Sequence, residues 1–435
     1  MCMIPTLVIC LITFVLVTLS ILLFPKIKIG GFSISTYWVV ALVGAILLIS
    51  IGLAPISDVW DQLTSNTSIN PLKILVLFFS MTIISILLDE FGLFKYLAQL
   101  ATKRAKTNQF TLFFSLYALT SVLTVFTSND IVILTLTPFI CFFAKRANIK
   151  ATPYLIAEFL AANTWSLMFL IGNPTNIYLA TAANINFIEY FKVMAIPTIV
   201  AGLVELGILF LLFRNSLKER FYVEDEQVEV LNKLLLSVGV STLLVCLVFL
   251  IIVHYLPLEM WMISLGCACF LSLFTLIYLF VRREKLTIMG NSFKRLPYEL
   301  IPFFLSMFVI VVSLNHQEIT GEISKLLGDS HVIYTYGYSS FLVCNLINNI
   351  PMSILYSQVS SSLSGSMFYQ ATYASIIGSN IGAFLTPIGA LAGIMFTSLI
   401  NKQNIRFSFL DFIKYGSIVS IPTITVALLM LQLFI

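Results

Sequence analysis

Amide and carboxyl side chains recur where apolar segments of the chain are interrupted. The four interruptions are Thr127-Ser128-Asn129-Asp130, Gly172 to Asn176, Asn348-Asn349-Ile350-Pro351, and Thr386 to Gly389. Proline lacks the backbone donor and glycine permits a tight turn, so helices are expected to stop at these points. Half-helices that begin there direct unpaired N–H groups and a partial positive charge inward. The pattern predicts that the four breaks converge on one polar site.

Carboxamides at and near these breaks could bind a small solute, because they donate to an oxygen and accept from a cation or a hydroxyl. The predicted solute-binding residues are Ser128, Asn129, Asn163, Gly172, Asn173, Asn176, Asn348, Asn349, Asn380, Thr386 and Gly389. The alternative is that each asparagine only caps a broken helix. No Lys or Arg falls within the breaks, which favours a neutral or singly charged solute.

Two acidic residues are predicted to couple solute movement to an ion, because a carboxylate at membrane depth is costly and usually functional. Asp130 lies at the first break, where its alternative role is to cap the returning helix. Glu158, just before Asn163, either carries a proton or pairs with a cytoplasmic Lys. The expected coupling ion is H+ or Na+, with no cofactor and no metal centre.

Two further polar residues are assigned mainly to structure. Glu205 is expected to be structural. Cys344 lies four residues before Asn348 and could offer a soft thiolate to arsenic or antimony, but a lone cysteine more often packs in the interior.

The composition identifies the class of protein that must hold these residues. The 435 residues are 59% hydrophobic and 10% charged, against about 25% charged in soluble proteins. This deficit runs along the whole chain and predicts a polytopic membrane protein whose main partner is the lipid bilayer. It excludes a soluble enzyme on a single anchor, and nucleic acid is not an expected partner. The seven cysteines show no spacing typical of disulfides or zinc.

Ten apolar segments have about the 20 residues needed to cross a bilayer as a helix. They lie near 4–24, 36–54, 73–93, 153–182, 191–214, 232–254, 258–281, 299–316, 370–399 and 409–434. Two further stretches, 111–143 and 332–362, are interrupted in the middle, leaving arms of about 13 to 16 residues that are too short to cross. They are predicted to be re-entrant hairpins; the alternative is two short tilted crossings in each.

The basic residues give the orientation, since Lys and Arg accumulate on the cytoplasmic side. With ten spans and two hairpins, all of the 24 basic residues except Lys73, Lys192 and Lys325 fall on one face. Both termini are therefore predicted to lie outside, in a multi-pass protein of the plasma membrane.

Matching landmarks predict an internal repeat. Asn129 corresponds to Asn348, and Asn163 and Gly172 correspond to Asn380 and Gly389. FFSM also matches FFLSM, and IEYFK matches LDFIK. The predicted units are a two-helix scaffold at 1–72, repeat 1 at 73–216, a cytoplasmic linker with two connecting spans at 217–298, and repeat 2 at 299–435. Each repeat contains a span, a hairpin (111–143 or 332–362), a broken helix (153–182 or 370–399) and a span. Five crossings separate equivalent points, so the repeats are inverted, which is typical of a secondary transporter.

The motifs SND, AANTWSLMFLIGNPTN, NNIP and IIGSNIGAFLTPIGALAG occur in this order. In them the chain resembles the arsenite/antimonite permease family of the ion transporter superfamily, which also contains divalent-anion/sodium symporters and citrate carriers. The resemblance covers roughly residues 35 to 435. It implies an all-α, elevator-type transporter, often a homodimer, and an associated ATPase subunit is a further expectation. Asp130 stands where the dicarboxylate symporters carry Ser-Asn-Thr, whereas Asn348-Asn349 is closer to the arsenite carriers.

The leading functional prediction is efflux of arsenite, antimonite or a related small inorganic oxyacid in exchange for H+ or Na+. A symporter of citrate-like carboxylates or sulfate is the first alternative, and a Na+/H+ antiporter using Asp130 is the second. An enzyme is disfavoured because His254, His316 and His331 all lie at span ends. A channel is disfavoured because it does not require inverted hairpins.

Overall fold

The computed structural model describes residues 3–24, 26–29, 32–66, 70–222, 232–403, 405 and 407–435. Cys2, Arg406 and residues 223–231 of the predicted cytoplasmic linker lie outside the described residues. The described chain is almost entirely helical, which confirms the predicted all-α fold class.

The first half contains ten α-helices and one short β-ribbon among the described residues. Its elements are α1 (Met3–Leu23), β1 (Lys26–Ile29), β2 (Phe32–Ser35), α2 (Thr36–Ser50), α3 (Ile56–Thr64), α4 (Pro71–Glu90), α5 (Leu93–Ala105), α6 (Gln109–Phe126), α7 (Asn129–Arg146), α8 (Thr152–Trp165), α9 (Pro174–Ala182) and α10 (Phe187–Phe213). The two strands pair antiparallel, with Lys26 opposite Ser35. A single 3-10 turn, Leu170–Gly172, lies between α8 and α9.

The second half repeats this order of helices. It consists of α11 (Lys233–Ile252), α12 (Met260–Val281), α13 (Thr287–Arg295), α14 (Leu300–His316), α15 (Ile319–Leu327), α16 (Val332–Ile347), α17 (Asn349–Ser360), α18 (Ser366–Gly382), α19 (Leu391–Lys402) and α20 (Phe409–Phe434). Even the short amphipathic helices recur, α3 with α13 and α5 with α15. The sequence landmarks reached only 73–216 and 299–435, whereas the helices extend the correspondence to α1 with α11 and α2 with α12.

The two halves pack on each other reciprocally: where a helix of the first half contacts a helix of the second, the counterparts of these two helices are also in contact. Helix α4 packs against α12, and its counterpart α14 packs against α2. Likewise α7 contacts α19, while α17 contacts α9, and α10 lies along α20. Each broken span is therefore closed by a helix from the opposite half, which brings the two sets of breaks together.

The match between IEYFK and LDFIK has a local cause. In α10 the Asn186 Oδ1 atom accepts from the Glu189 backbone N–H at 2.9 Å, and in α20 the Ser408 Oγ atom accepts from the Asp411 N–H at 3.0 Å. Both are capping boxes, in which the acidic side chain also accepts from the N-cap backbone N–H. The repeated motif therefore marks the start of the last long helix in each half.

Within the described residues, eight helical segments are long and apolar enough to cross a membrane. Helix α2 has only 15 residues, and each broken span consists of two shorter helices. The predicted arm length of about 13 to 16 residues agrees with α16, which has 16 residues, but α6 and α7 are longer, with 18 residues each, and α17 is shorter, with 12. The helices α6 and α7 continue beyond the apolar run into polar ends at Gln109 and Arg146. Helix α6 is itself long enough to cross, and re-entrance remains a prediction.

Candidate functional site

In the first broken span, the first helix ends before the predicted break at Gly172. Helix α8 ends at Trp165, seven residues before Gly172, and α9 begins at Pro174 with Asn173 as its N-cap. The Asn173 Oδ1 atom accepts from the Thr175 N–H at 3.1 Å. A β-carbon on Gly172 would lie 2.3 Å from the Ser166 carbonyl oxygen, so the turn folds back tightly on the end of α8.

Asn380, on α18 of the second half, fills this break. Its Oδ1 accepts from Asn173 Nδ2 at 2.8 Å and from Ser166 Oγ at 2.9 Å. Its Nδ2 donates to Asn176 Oδ1 at 2.7 Å and to the Ile376 carbonyl at 2.9 Å. Both ends of one buried amide are therefore saturated by partners, most of them from the other half of the chain.

The first hairpin tip bonds to the broken span beside it. The Asn129 Nδ2 atom donates to Asn163 Oδ1 at 3.1 Å, and the Asp130 backbone N–H donates to Asn129 Oδ1 at 2.9 Å. Ser128 is the N-cap of α7, so the alternative role of Asp130 as that cap is wrong; the half-buried Asp130 lies in the first turn of the helix. The hydroxyls of Thr120, Thr124 and Ser128 are buried, with no hydrogen-bond partner among the described residues.

The second hairpin tip is tied to the second break. Asn348 caps α17 by accepting from the Ile350 N–H at 3.3 Å, and its Nδ2 donates to the Ile388 carbonyl at 2.8 Å. The Asn349 backbone N–H donates to the Gly389 carbonyl at 2.9 Å. Asn348 has φ 73° and ψ 155°, a conformation that is essentially restricted to glycine.

Asn345 was missed by the sequence analysis. Its Nδ2 donates to the carbonyl of Gly382 at 2.8 Å, and its Oδ1 accepts from Thr386 Oγ1 at 2.7 Å. A β-carbon on Gly389 would lie 2.8 Å from the same Oδ1 atom. An amide within the apolar arm 332–347 was the available signal.

These contacts bring residues of all four breaks to one place. The Ser166 Oγ atom, 2.7 Å from the Asn163 carbonyl and 2.9 Å from Asn380 Oδ1, joins the first tip to the second half. The bonds of Asn345 and Asn348 form a second group, which meets the first on α18, where Gly382 lies two residues after Asn380. We call the two groups together the asparagine junction; it comprises Asn129, Asn163, Ser166, Asn173, Asn176, Asn345, Asn348 and Asn380. Its asparagines are at most 2% exposed, apart from the half-buried Asn345. Apart from Asn345, the junction is therefore closed to solvent in this conformation.

Glu158 lies outside the junction. It is 1% exposed, and both of its carboxylate oxygens accept from Thr137 Oγ1 at 3.0 Å. No Lys or Arg among the described residues forms an ion pair with it, so the alternative of a cationic partner has no support here.

Cys344 packs against the helix α18. Its fully buried thiol donates to the Phe341 carbonyl at 3.3 Å, and a β-carbon on Gly382 would lie 2.4 Å from its sulfur.

The ion pairs of the described residues lie at helix ends, away from the junction. They join Lys73 with Glu259, Arg295 with Asp89 and Glu90, His316 with Asp58, and Lys325 with Glu322. A cavity of about 370 Å³ surrounds the first of these pairs, and its lining includes Thr181 and Trp261 but none of the junction asparagines. In the described structure, the junction itself is formed by amides, hydroxyls and backbone groups.

Comparison with known proteins identifies the fold and the family. Residues 30–369 match the family described as citrate transporter. The chain belongs to this family. The arsenical pump membrane protein of Escherichia coli (strain K12) is 25% identical over 90% of this chain and 92% of its own length. That of Yersinia enterocolitica is 25% identical over 92% and 94%, and the 46 kDa membrane protein of Mycobacterium leprae is 25% identical over 89% and 91%.

A solved structure has the same overall fold as this citrate transporter family member. The YdaH transporter of Alcanivorax borkumensis, whose crystal structure is described as having an unusual topology, superposes with a TM-score of 0.54 at 13% identity. The similarity covers 99% of this chain and 97% of that one. Together with the family match and the arsenical pump relatives, this confirms the resemblance seen in the sequence. The chain is a membrane transporter and not an enzyme.

Gly172→Ala should destabilise this family member, because the new methyl group would collide with the Ser166 carbonyl at the first break. Overpacking of this kind costs about 1 to 3 kcal/mol, and we expect a lower melting temperature in detergent. Gly207→Ala in α10 is the matched control, since a β-carbon there meets no atom within 4 Å. Equal melting temperatures for the two variants would contradict the close approach of Gly172 to the Ser166 carbonyl.

Proposed function

We propose that this transporter exports arsenite, antimonite or a related small inorganic oxyacid in exchange for H+ or Na+. The observation that carries the proposal is the asparagine junction, which offers neutral donors and acceptors and, among the described residues, no cationic side chain. Arsenous acid is largely uncharged at neutral pH. It therefore requires hydrogen-bond partners for its hydroxyl groups rather than a counter-charge.

The solute would bind where the two tips and the two breaks meet. In this proposal the hydroxyl groups of the solute form hydrogen bonds with the asparagines and replace some of the bonds that the asparagines now make with one another. The hydroxyls of Thr120 and Thr124 on α6 and of Ser128 at the start of α7, which have no partner among the described residues, provide further donors. Asp130, in the first turn of α7, and Glu158, one turn from Asn163, are the proposed coupling carboxylates.

The reciprocal packing of the two halves is compatible with an elevator mechanism. Hairpins and broken helices would move together as a transport domain, and the remaining spans would form the scaffold, in a homodimer of the plasma membrane with both termini outside. An ATPase subunit would convert the same pathway to ATP-driven export.

Citrate is the second candidate, because the matching family is described as citrate transporter. Citrate carries several negative charges at neutral pH, and burying them without counter-charges is strongly unfavourable. The junction would have to bind Na+ or protons beside Asn129 and Asn348 to take such an anion. The absence of Lys and Arg from its described contacts therefore favours the neutral oxyacid.

Purified protein in proteoliposomes tests the proposal. We expect an imposed H+ or Na+ gradient to drive arsenite against its concentration gradient, and an ionophore that dissipates the gradient to stop it. Citrate should neither be transported nor compete, and protein-free vesicles serve as the control. Gradient-driven citrate transport without arsenite transport would overturn the proposal in favour of the second candidate.

A further inference from the structure

A second buried carboxyl group lies beside the junction. Glu205, on α10, is 0% exposed and has polar partners on two other helices. Its Oε1 atom is 3.0 Å from the Tyr117 hydroxyl of α6, and its Oε2 accepts from Thr164 Oγ1 of α8. Among the described residues, no Lys, Arg or His forms an ion pair with it.

The number of hydrogen atoms available around Tyr117 bears on the charge of this group. The Tyr117 hydroxyl oxygen lies 2.7 Å from the Gly202 carbonyl oxygen as well as 3.0 Å from Glu205. The indole N–H of Trp165 also donates to it at 3.2 Å. A tyrosine hydroxyl carries one hydrogen and a carbonyl carries none. When that hydrogen goes to Gly202, the hydrogen between Tyr117 and Glu205 must come from the carboxyl group.

We propose that Glu205 is a proton-binding site, occupied in this conformation, in which the neutral acid donates to Tyr117 and accepts from Thr164. Each contact of the cluster then has a donor and an acceptor, because Glu205 donates to Tyr117 and Tyr117 donates to the Gly202 carbonyl. An ionised carboxylate would instead be buried without a cation, which is strongly unfavourable.

The surrounding helices place few other titratable groups near this site. Tyr117 faces Glu205 from α6, and α8 contributes Thr164 and Trp165, whereas the titratable groups of α8, Tyr154 and Glu158, bond to Gln109 and Thr137 instead. The titratable groups of neighbouring α20 and α11 are Asp411, Lys414 and Tyr415, in the first turns of α20 near Phe213, Lys233 at the exposed start of α11, and Cys246 beside Met81. Tyr117 is thus the titratable partner of the proposed site.

Proton release would change how α6 and α8 are held against α10. Loss of the proton to water leaves a carboxylate, and Tyr117 must then turn its hydrogen from Gly202 toward it. Thr164 and Trp165 adjoin Asn163 and Ser166 of the junction, and Trp165 packs so closely on Gly202 that a β-carbon there would lie 2.7 Å from its ring. Protonation of Glu205 therefore controls how the α8 end of the break is held against α10.

Infrared spectroscopy of the purified protein tests the site without any solute. Glu205→Gln is close to isosteric with the neutral acid, since its amide can donate to Tyr117 and accept from Thr164. The difference spectrum between wild type and this variant should contain a protonated carboxyl band at neutral pH, and Tyr117→Phe should shift that band. A carboxylate band in the difference spectrum, or an unchanged band in Tyr117→Phe, would overturn the proposal.

A second measurement concerns coupling and rests on the proposed function. Each coupled proton changes the equilibrium ratio of the solute concentrations across the membrane by about tenfold per pH unit. If Glu205 carries a proton in each cycle, this ratio should therefore respond to a gradient of one pH unit by a factor about ten times smaller in Glu205→Gln than in wild type. An unchanged response would exclude Glu205 from coupling. Lack of arsenite transport by the wild type would reject the proposed function, while the infrared result would still decide the charge of Glu205.

Discussion

Replacing Asn380 by Ala should abolish solute binding and destabilise the protein. The substitution leaves Asn173 Nδ2 and Asn176 Oδ1 without the partner that each has at 2.8 and 2.7 Å, whereas Ser166 Oγ keeps its bond to the Asn163 carbonyl. A buried polar group left unpaired costs about 1 to 3 kcal/mol, and two such groups remove a large part of the stability of a typical domain. We expect a large fall in melting temperature and no measurable arsenite binding in detergent.

Two variants make this result specific. Asn380→Asp keeps the acceptor but loses the donor to Asn176 and adds a buried charge, so it should be no better than Ala. Asn401→Ala, at the exposed end of α19, should remain within about 0.5 kcal/mol of wild type. Wild-type stability and binding in Asn380→Ala would show that the contact between the halves at the first break does not hold the junction.

The positions of the breaks were predictable because their causes are local. Pro174 starts a new helix through its own backbone constraint, and the structure has an irregular segment before it, although α8 already ends at Trp165 rather than at Gly172. The sequence also paired Asn163 with Asn380, and the two residues lie near the ends of α8 and α18, which hold the same place in the order of helices. It did not reveal that Asn380 bonds to the first break whereas Asn163 bonds to Asn129, because the choice of partner depends on how the two halves pack.

Other features had no local signal. Helices α1, α2, α11 and α12 belong to the repeat by order and packing, yet lipid-facing apolar residues are interchangeable and left no landmarks in the sequence. The arms α6 and α7 were underestimated because hydropathy ends where polar residues begin, whereas the helices continue through them. The hydrogen bonds of Glu205 required three helices to be placed together before they could be counted.

The two hairpin tips should each contribute to solute affinity, although they hold their asparagines differently. Asn129 is not the cap of α7, and its amide faces Asn163, so Asn129→Ser removes a junction donor with little effect on the helix. Asn348 does cap α17, and its backbone has φ 73° and ψ 155°. Glycine is the better probe there, because it accepts this conformation while removing the amide.

Arsenite affinity in detergent, compared among wild type, Asn129→Ser and Asn348→Gly, is the most direct test that the solute binds at the asparagine junction. Loss of one amide partner is expected to cost about 1 to 3 kcal/mol. Each variant should therefore bind about fivefold to more than a hundredfold more weakly, while its melting temperature falls much less than that of Asn380→Ala. Wild-type affinity in both variants, with normal thermal stability, would contradict the account and place the solute site elsewhere.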